Sequence, residues 1–277
     1  MNPNKTLLSV FLIVIAFGAS TAQQLVKVWE TAPVFQVPES ALYDHETGNI
    51  FVSNIQGISN EKDREGFISL LGTDGNMINL NWVSGLNAPK GMAIFRGKLY
   101  VSDIDALVEI DIAKATIVKR YPVKGAVFLN DVAVCKNGQV FVSDSRTGKL
   151  HLLKNGEISE ALQELIPNIN GLFASEGKLY IGSAKIHQLD IKTGELKVLH
   201  EAAGGVDGLE LLDDGNFLFS HWAGRIFITD GDQIIKLLDT SEAGINSADI
   251  DFAKELGLIV VPTFKDNRVV AYKLTKN

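Results

Sequence analysis

The sequence predicts an all-β fold: a six-bladed β-propeller with four-stranded antiparallel blades, its ring closed by an N-terminal strand. Three observations predict it. One pattern recurs six times: an anchor residue, an apolar strand, a turn, then a second apolar strand that mostly ends on a polar residue. The anchors are 51, 40, 40, 37 and 41 residues apart, and repeats of about 40 residues with several strands each are a propeller period. Helical periodicity is weak throughout, and only residues 159–165 read as a helix.

The segments follow in order. Residues 1–22 carry Lys5, an apolar run from Leu7 to Phe17 and the small residues Ser20, Thr21 and Ala22. This is the pattern of a secretory signal with cleavage expected after Ala22. The run is shorter than the roughly 20 residues a membrane span needs. Residues 23–277 are then a single propeller domain, exported to the periplasm or secreted. The six copies pair residues 38–42 with 49–54, 89–93 with 98–103, 129–133 with 139–144, 169–173 with 178–183, 206–210 with 216–221, and 247–251 with 258–262. The spacing leaves room for two more strands per repeat. Asn137-Gly138 and Asp214-Gly215 stand where tight hairpins are needed. The last repeat lacks a strand, while residues 25–30 form a spare one ahead of the first anchor. Pairing residues 25–30 with 268–274 closes the ring and removes a sheet edge.

Composition excludes several classes. The formal charge of −7, without a basic stripe, argues against nucleic acid and anionic membranes as partners. Cys135 is the one cysteine, so no intrachain disulfide supports the fold, and its apolar context reads as core. Walker, Rossmann, HExxH and Gly-x-Ser-x-Gly patterns are absent. His45, His151, His187 and His200 show no metal-ligand spacing.

The innermost strand of a propeller blade lines the axial channel, so the six anchors form a ring at one mouth. The ring reads Glu39, Lys90, Asn130, Asn170, Asp207 and Ala248. Glu39, Asn130, Asn170 and Asp207 offer oxygen, and none offers sulfur or imidazole. That set suits a hard divalent cation, calcium before magnesium or another ion. Asn-Asp, Asn-Gly and Asp-Gly are also turn dipeptides, which leaves a purely structural reading open for three of the four. Glu39 has no such turn preference. The second strands return to the same mouth, so their terminal residues Asn54, Asp103, Asp144, Ser183, His221 and Pro262 are expected one shell outside the metal, with Trp222 beside His221. Lys90 is a cation in the ring, placed to pair with Glu39 or to meet an anionic substrate. The longest repeat holds its excess in residues 56–66, a charged loop flanked by glycines, expected to overhang the anchors.

At Glu39, Asn130-Asp131, Asn170-Gly171 and Asp207-Gly208 the chain resembles the SMP-30/gluconolactonase family of calcium propellers, and the related paraoxonase and diisopropyl-fluorophosphatase propellers. The resemblance runs over all of residues 23–277. It implies one Ca2+ on those four residues and hydrolysis of a lactone or ester, with a metal-polarised carbonyl and Asp207 as general base. Members acting on sugar lactones carry Arg two residues before the first ligand Asn. Phe128 stands there in this chain, so a polyol substrate is not implied. The alternative is a non-catalytic propeller with calcium as a plug and a ligand or protein bound at the mouth. The partner under the first reading is a small molecule.

Overall fold

The computed structural model describes residues 23–201 and 204–276, so the expected signal segment lies outside the described residues. The chain forms the expected propeller: six four-stranded antiparallel sheets, each in simple sequential order except the last. Blade one, for example, runs Pro38–Asp44, Asn49–Asn54, Gly66–Gly72 and Met77–Leu86 from channel to rim. The last sheet takes Asp251–Ala253, Leu258–Pro262 and Val269–Lys276 from the C-terminal end of the chain and Gln23–Glu30 as its outermost strand. Leu25 stands opposite Leu274, and Glu30 opposite Val270.

Period-2 alternation builds the core, because successive strand residues face opposite sides of a sheet. In blade one Ile50 and Val52 pack toward blade six, against Val260 and Val269, while Phe51 packs toward blade two, against Leu99 and Val101. In blade five Phe217 and Phe219 join the cluster shared with blade four, and Leu218 joins the one shared with blade six. The same rule gives one apolar cluster per blade–blade interface. Outer strands such as Thr116–Pro122 are mostly exposed, with Ile117 and Tyr121 half-buried, since only one neighbour covers them.

Serines on the second strands join blades through polar contacts. The fully buried Ser220 accepts from Gly208 N–H at 2.8 Å and donates to Ala248 C=O of the next blade at 2.6 Å. The Ser102 hydroxyl donates to the Asn130 carbonyl in the same way. Glycines set how closely the inner strands approach. A Cβ on Gly171 would lie 2.2 Å from Asp207 O, and one on Gly208 would lie 2.3 Å from Ile250 N.

Two expectations meet the structure differently. Gly138 and Gly215 take positive φ in the expected hairpins, at +84° each, where a Cβ is strained. Residues 159–165 are not helical, and no α-helix occurs among the described residues. Glu157–Glu160 is the outer strand of blade three, and the chain beyond it carries Leu162, Ile166 and Ile169 back to the blade three–four core. That return spaces apolar residues in a way that imitates helical period. Cys135 is half-buried against the same cluster. No helix among the described residues is long and apolar enough to cross a membrane.

Candidate functional site

The four oxygen-bearing anchors meet. Glu39, Asn130, Asn170 and Asp207 line one cavity of about 320 Å³, together with Lys90, Ile55, Ser59, Phe128, Trp222 and Phe264. Local backbone explains the convergence. In blades one to three the pairing register slips at the anchor, between Pro38 and Ser40, Pro89 and Met92, and Leu129 and Val132. Such irregularities re-aim a side chain out of the pleat. In blades four and five the anchors precede the strand proper, and their N–H groups are held by the second strand: Asn170 N–H by Gly182 O at 2.8 Å, Asp207 N–H by Ser220 O at 2.9 Å. The glycines after Lys90, Asn170 and Asp207 lack positive φ and abut the neighbouring blade. They are close-approach glycines, so the turn reading of Asn170-Gly171 and Asp207-Gly208 does not hold.

Hydrogen bonds orient the site. Asn130 Nδ2 donates to Ser145 Oγ at 3.0 Å, and Asn170 Nδ2 donates to Asp207 Oδ1 at 2.7 Å. Each amide thereby spends its nitrogen on the protein. Glu39 is 6 % exposed, and its Oε2 has no hydrogen-bond partner. A buried carboxylate oxygen without a donor is costly. Lys90, 1 % exposed, donates to Ala88 O at 2.9 Å and makes no ion pair with Glu39.

The electrostatics follow from burial. Burial drives the Glu39 carboxyl well above the usual range, the Asp207 and Asp249 carboxylates drive it further, and Lys90 opposes them. Burial lifts Asp207 to about 7 against the hydrogen bond from Asn170. Burial also lowers Lys90 to about 8, with Glu39 and Asp103 pulling it up and Arg146 pushing it down. Deeper along the axis Asp131, Asp249, Glu210 and Asp251 add four more carboxyls, all raised first by burial. They line a second cavity of about 280 Å³ at the far mouth. The channel is thus rich in acid and poor in compensating cation.

A divalent cation fits the residues at the first mouth. The donors are all oxygen, the two carboxylates repel each other without a cation, and Glu39 Oε2 lacks a partner. Among the described residues no three His, Cys, Asp or Glu group as a metal site; the set here is two carboxylates and two amides.

The outer ring lies elsewhere. Lys90 and Trp222 line the cavity, whereas Asn54, Asp103, Asp144 and His221 do not. Asn54, Asp103 and Asp144 are fully buried and hold the segments that lead into the inner strands. Asn54 Oδ1 accepts from Gln36 N–H, Asp103 from Asn87 and Ala88 N–H and from Arg120, and Asp144 from Val127 and Phe128 N–H. His221 Nδ1 accepts from Ala223 N–H at 3.1 Å. Their carboxylates and amides replace backbone pairing where the strands end. The cavity wall instead uses residues just past the strand ends: Ile55, Trp222 and Phe264, with Phe128 entering from before the anchor. The loop of residues 56–66 lies at this mouth. Its Ser59 lines the cavity, and Lys62 reaches Asp105 of blade two at 2.5 Å.

No protein-family model and no curated protein matches the sequence. Solved structures share the fold. A gluconolactonase from Xanthomonas campestris superposes with TM-score 0.66 at 14 % identity, covering 87 % of both chains. A streptogramin B lyase superposes with TM-score 0.65 at 12 % identity, covering 92 % of this chain and 98 % of its own. A WD40 β-propeller domain gives 0.63 at 15 % identity, covering 84 % of this chain and 77 % of its own. At these identities the likeness is one of fold.

Proposed function

We propose that the protein is an exported, calcium-dependent hydrolase of a small lactone or ester. The observation that carries this is the convergence of Glu39, Asn130, Asn170 and Asp207 on one cavity, with a buried Glu39 oxygen that no protein group satisfies. These four residues would hold the ion. When bound, calcium supplies a Lewis acid for a carbonyl oxygen and its developing negative charge. The protein does the rest. Phe128, Trp222, Phe264 and Ile55 exclude water from around the substrate and leave a small volume for it. Asn170 holds Asp207 through Oδ1, and Asp207 would loosen from the ion for its Oδ2 to serve as the base, because a cation beside a carboxylate weakens it as a proton acceptor. Asp207 takes a proton from a water as that water's oxygen bonds to the carbonyl carbon. The acyl–oxygen bond then breaks, and the proton passes from Asp207 to the departing alkoxide. Residues 1–22 supply the export signal in this reading.

The test is a hydrolysis screen over lactones and aryl esters, with calcium and with EGTA. Turnover that EGTA abolishes and calcium restores is the expected result. No turnover, with calcium still raising the melting temperature, would move the reading to a binding propeller plugged by the ion.

A further inference from the structure

The mouth of this cavity carries cations that the protein leaves unpaired. The Phe128 ring, part of the cavity wall, holds two of them: Lys90 Nζ at 4.4 Å and the Arg146 guanidinium at 4.8 Å from its centroid. Three blades round the ring, Lys265 Nζ stands 5.2 Å from the ring of Trp222, also part of the wall. Arg146 and Lys265 make no ion pair among the described residues. The neighbouring Lys62 and Arg120, by contrast, are paired with Asp105 and Asp103. Asp144, two residues before Arg146, gives its oxygens to the backbone N–H groups of Val127, Phe128, Arg146 and Thr147.

This is an unusual placement in a chain of formal charge −7. A calcium ion would cancel the charges of Glu39 and Asp207, leaving Lys90, Arg146 and Lys265 as cations beside the Phe128 and Trp222 rings of the cavity wall. A guanidinium that stacks on an aromatic ring uses its face and keeps its N–H edge for a planar anion. Lys90 has three N–H bonds and gives one to Ala88 O.

We infer that the substrate is an ester or lactone carrying a free carboxylate, bound by Arg146 and Lys90 over the Phe128 ring, with Trp222 and Phe264 holding its apolar part. Lys265 attracts the anion from the opposite rim. The inference rests on the hydrolase reading and adds a substrate class to it.

Two matched pairs of probes test it on the calcium-loaded full chain. The first is 4-nitrophenyl hemiglutarate against 4-nitrophenyl valerate, followed by hydrolysis. The second is 4-phenylbutyrate against 4-phenylbutanamide, followed by calorimetric binding. The anionic member of each pair is expected to win by about tenfold, mainly through KM and Kd, as fits charge-assisted hydrogen bonding. Calcium can itself hold a carboxylate, so Arg146→Ala decides: the anion-to-neutral ratio should fall about tenfold, with part recovered in Arg146→Lys. An unchanged ratio in Arg146→Ala, or a wild type indifferent to charge, overturns the inference even if esters are hydrolysed. A carboxylate preference that depends on Arg146, without turnover of any ester, keeps the anion site and rejects the hydrolase.

Discussion

Ser220→Ala removes one hydroxyl and strands two backbone groups. Ser220 is fully buried, so water cannot replace it. Its Oγ is the acceptor for Gly208 N–H at 2.8 Å and the donor to Ala248 C=O at 2.6 Å. An orphaned buried N–H costs about 1–3 kcal/mol, and the lost bond to the carbonyl about 1 kcal/mol more. The sum is about 2–4 kcal/mol, which for a chain of this size lowers Tm by about 6–12 °C. Ser102 provides the internal comparison, because its hydroxyl donates to the Asn130 carbonyl and accepts no backbone N–H. Ser102→Ala should cost about half as much. Urea unfolding of both variants, with m unchanged, is the assay. A loss under about 0.5 kcal/mol in Ser220→Ala, or a larger loss in Ser102→Ala, refutes the reasoning that these hydroxyls staple neighbouring blades.

Asp207 and Asp249 are lifted by burial to about 7 and about 8. The folded state therefore holds protons that the unfolded chain releases near pH 4, and their contribution to stability is full below that pH and drains as pH rises through 7 to 8. In EGTA, Tm should fall as pH rises from about 4 to about 8 and level off above that, and saturating calcium should flatten that slope; parallel slopes would contradict it. Asp207→Asn and Glu39→Gln should each cost at least a hundredfold in kcat/KM while circular dichroism stays unchanged, since one removes the proton acceptor and the other a metal charge. Activity equal to wild type in both variants would reject the assigned roles. Deleting residues 25–30 exposes the edge of Val269–Lys276 and should cause aggregation, read by light scattering. Replacing residues 57–66 with a short Gly-Ser turn should leave Tm within a few degrees and change KM, because Ser59 leaves the cavity wall; unaltered kinetics would deny the loop a part in binding.

The fold was legible because its rule is local and repeated. Phe217, Leu218 and Phe219 declare a strand buried on both faces, and the copies at fixed spacing declare the ring. The oxygen-bearing anchors were legible for the same reason: they hold one position in each copy. Their glycines were misleading, since Gly171 and Gly208 answer to a neighbouring backbone rather than to a turn. The polar strand ends were legible as a pattern but not as a role. Asp103 and Asp144 do not line the cavity and serve the entry segments instead. Ile55, Ser59 and Phe264 lie beyond the strands, where loop length differs from blade to blade and no repeat marks them. The apolar spacing of residues 159–165 came from a loop returning to the core, which sequence periodicity cannot separate from a helical turn.

The ring closure has a consequence for how the chain comes together. Gln24 and Thr275 are partners across 251 residues. The outer strand of the last blade is the first of the described strands to be synthesised, and its sheet is the last to be complete. Five blades can assemble as neighbours in sequence, each adding a local step. The sixth must wait for the whole chain, and a contact at that separation is slow to find. Its entropic cost is modest, because closure entropy grows only with the logarithm of loop length, by about 0.6 kcal/mol per doubling. Closure thus acts as a late kinetic gate. The cavity, whose wall includes Phe264 of the last blade, takes its finished form only after that gate has shut.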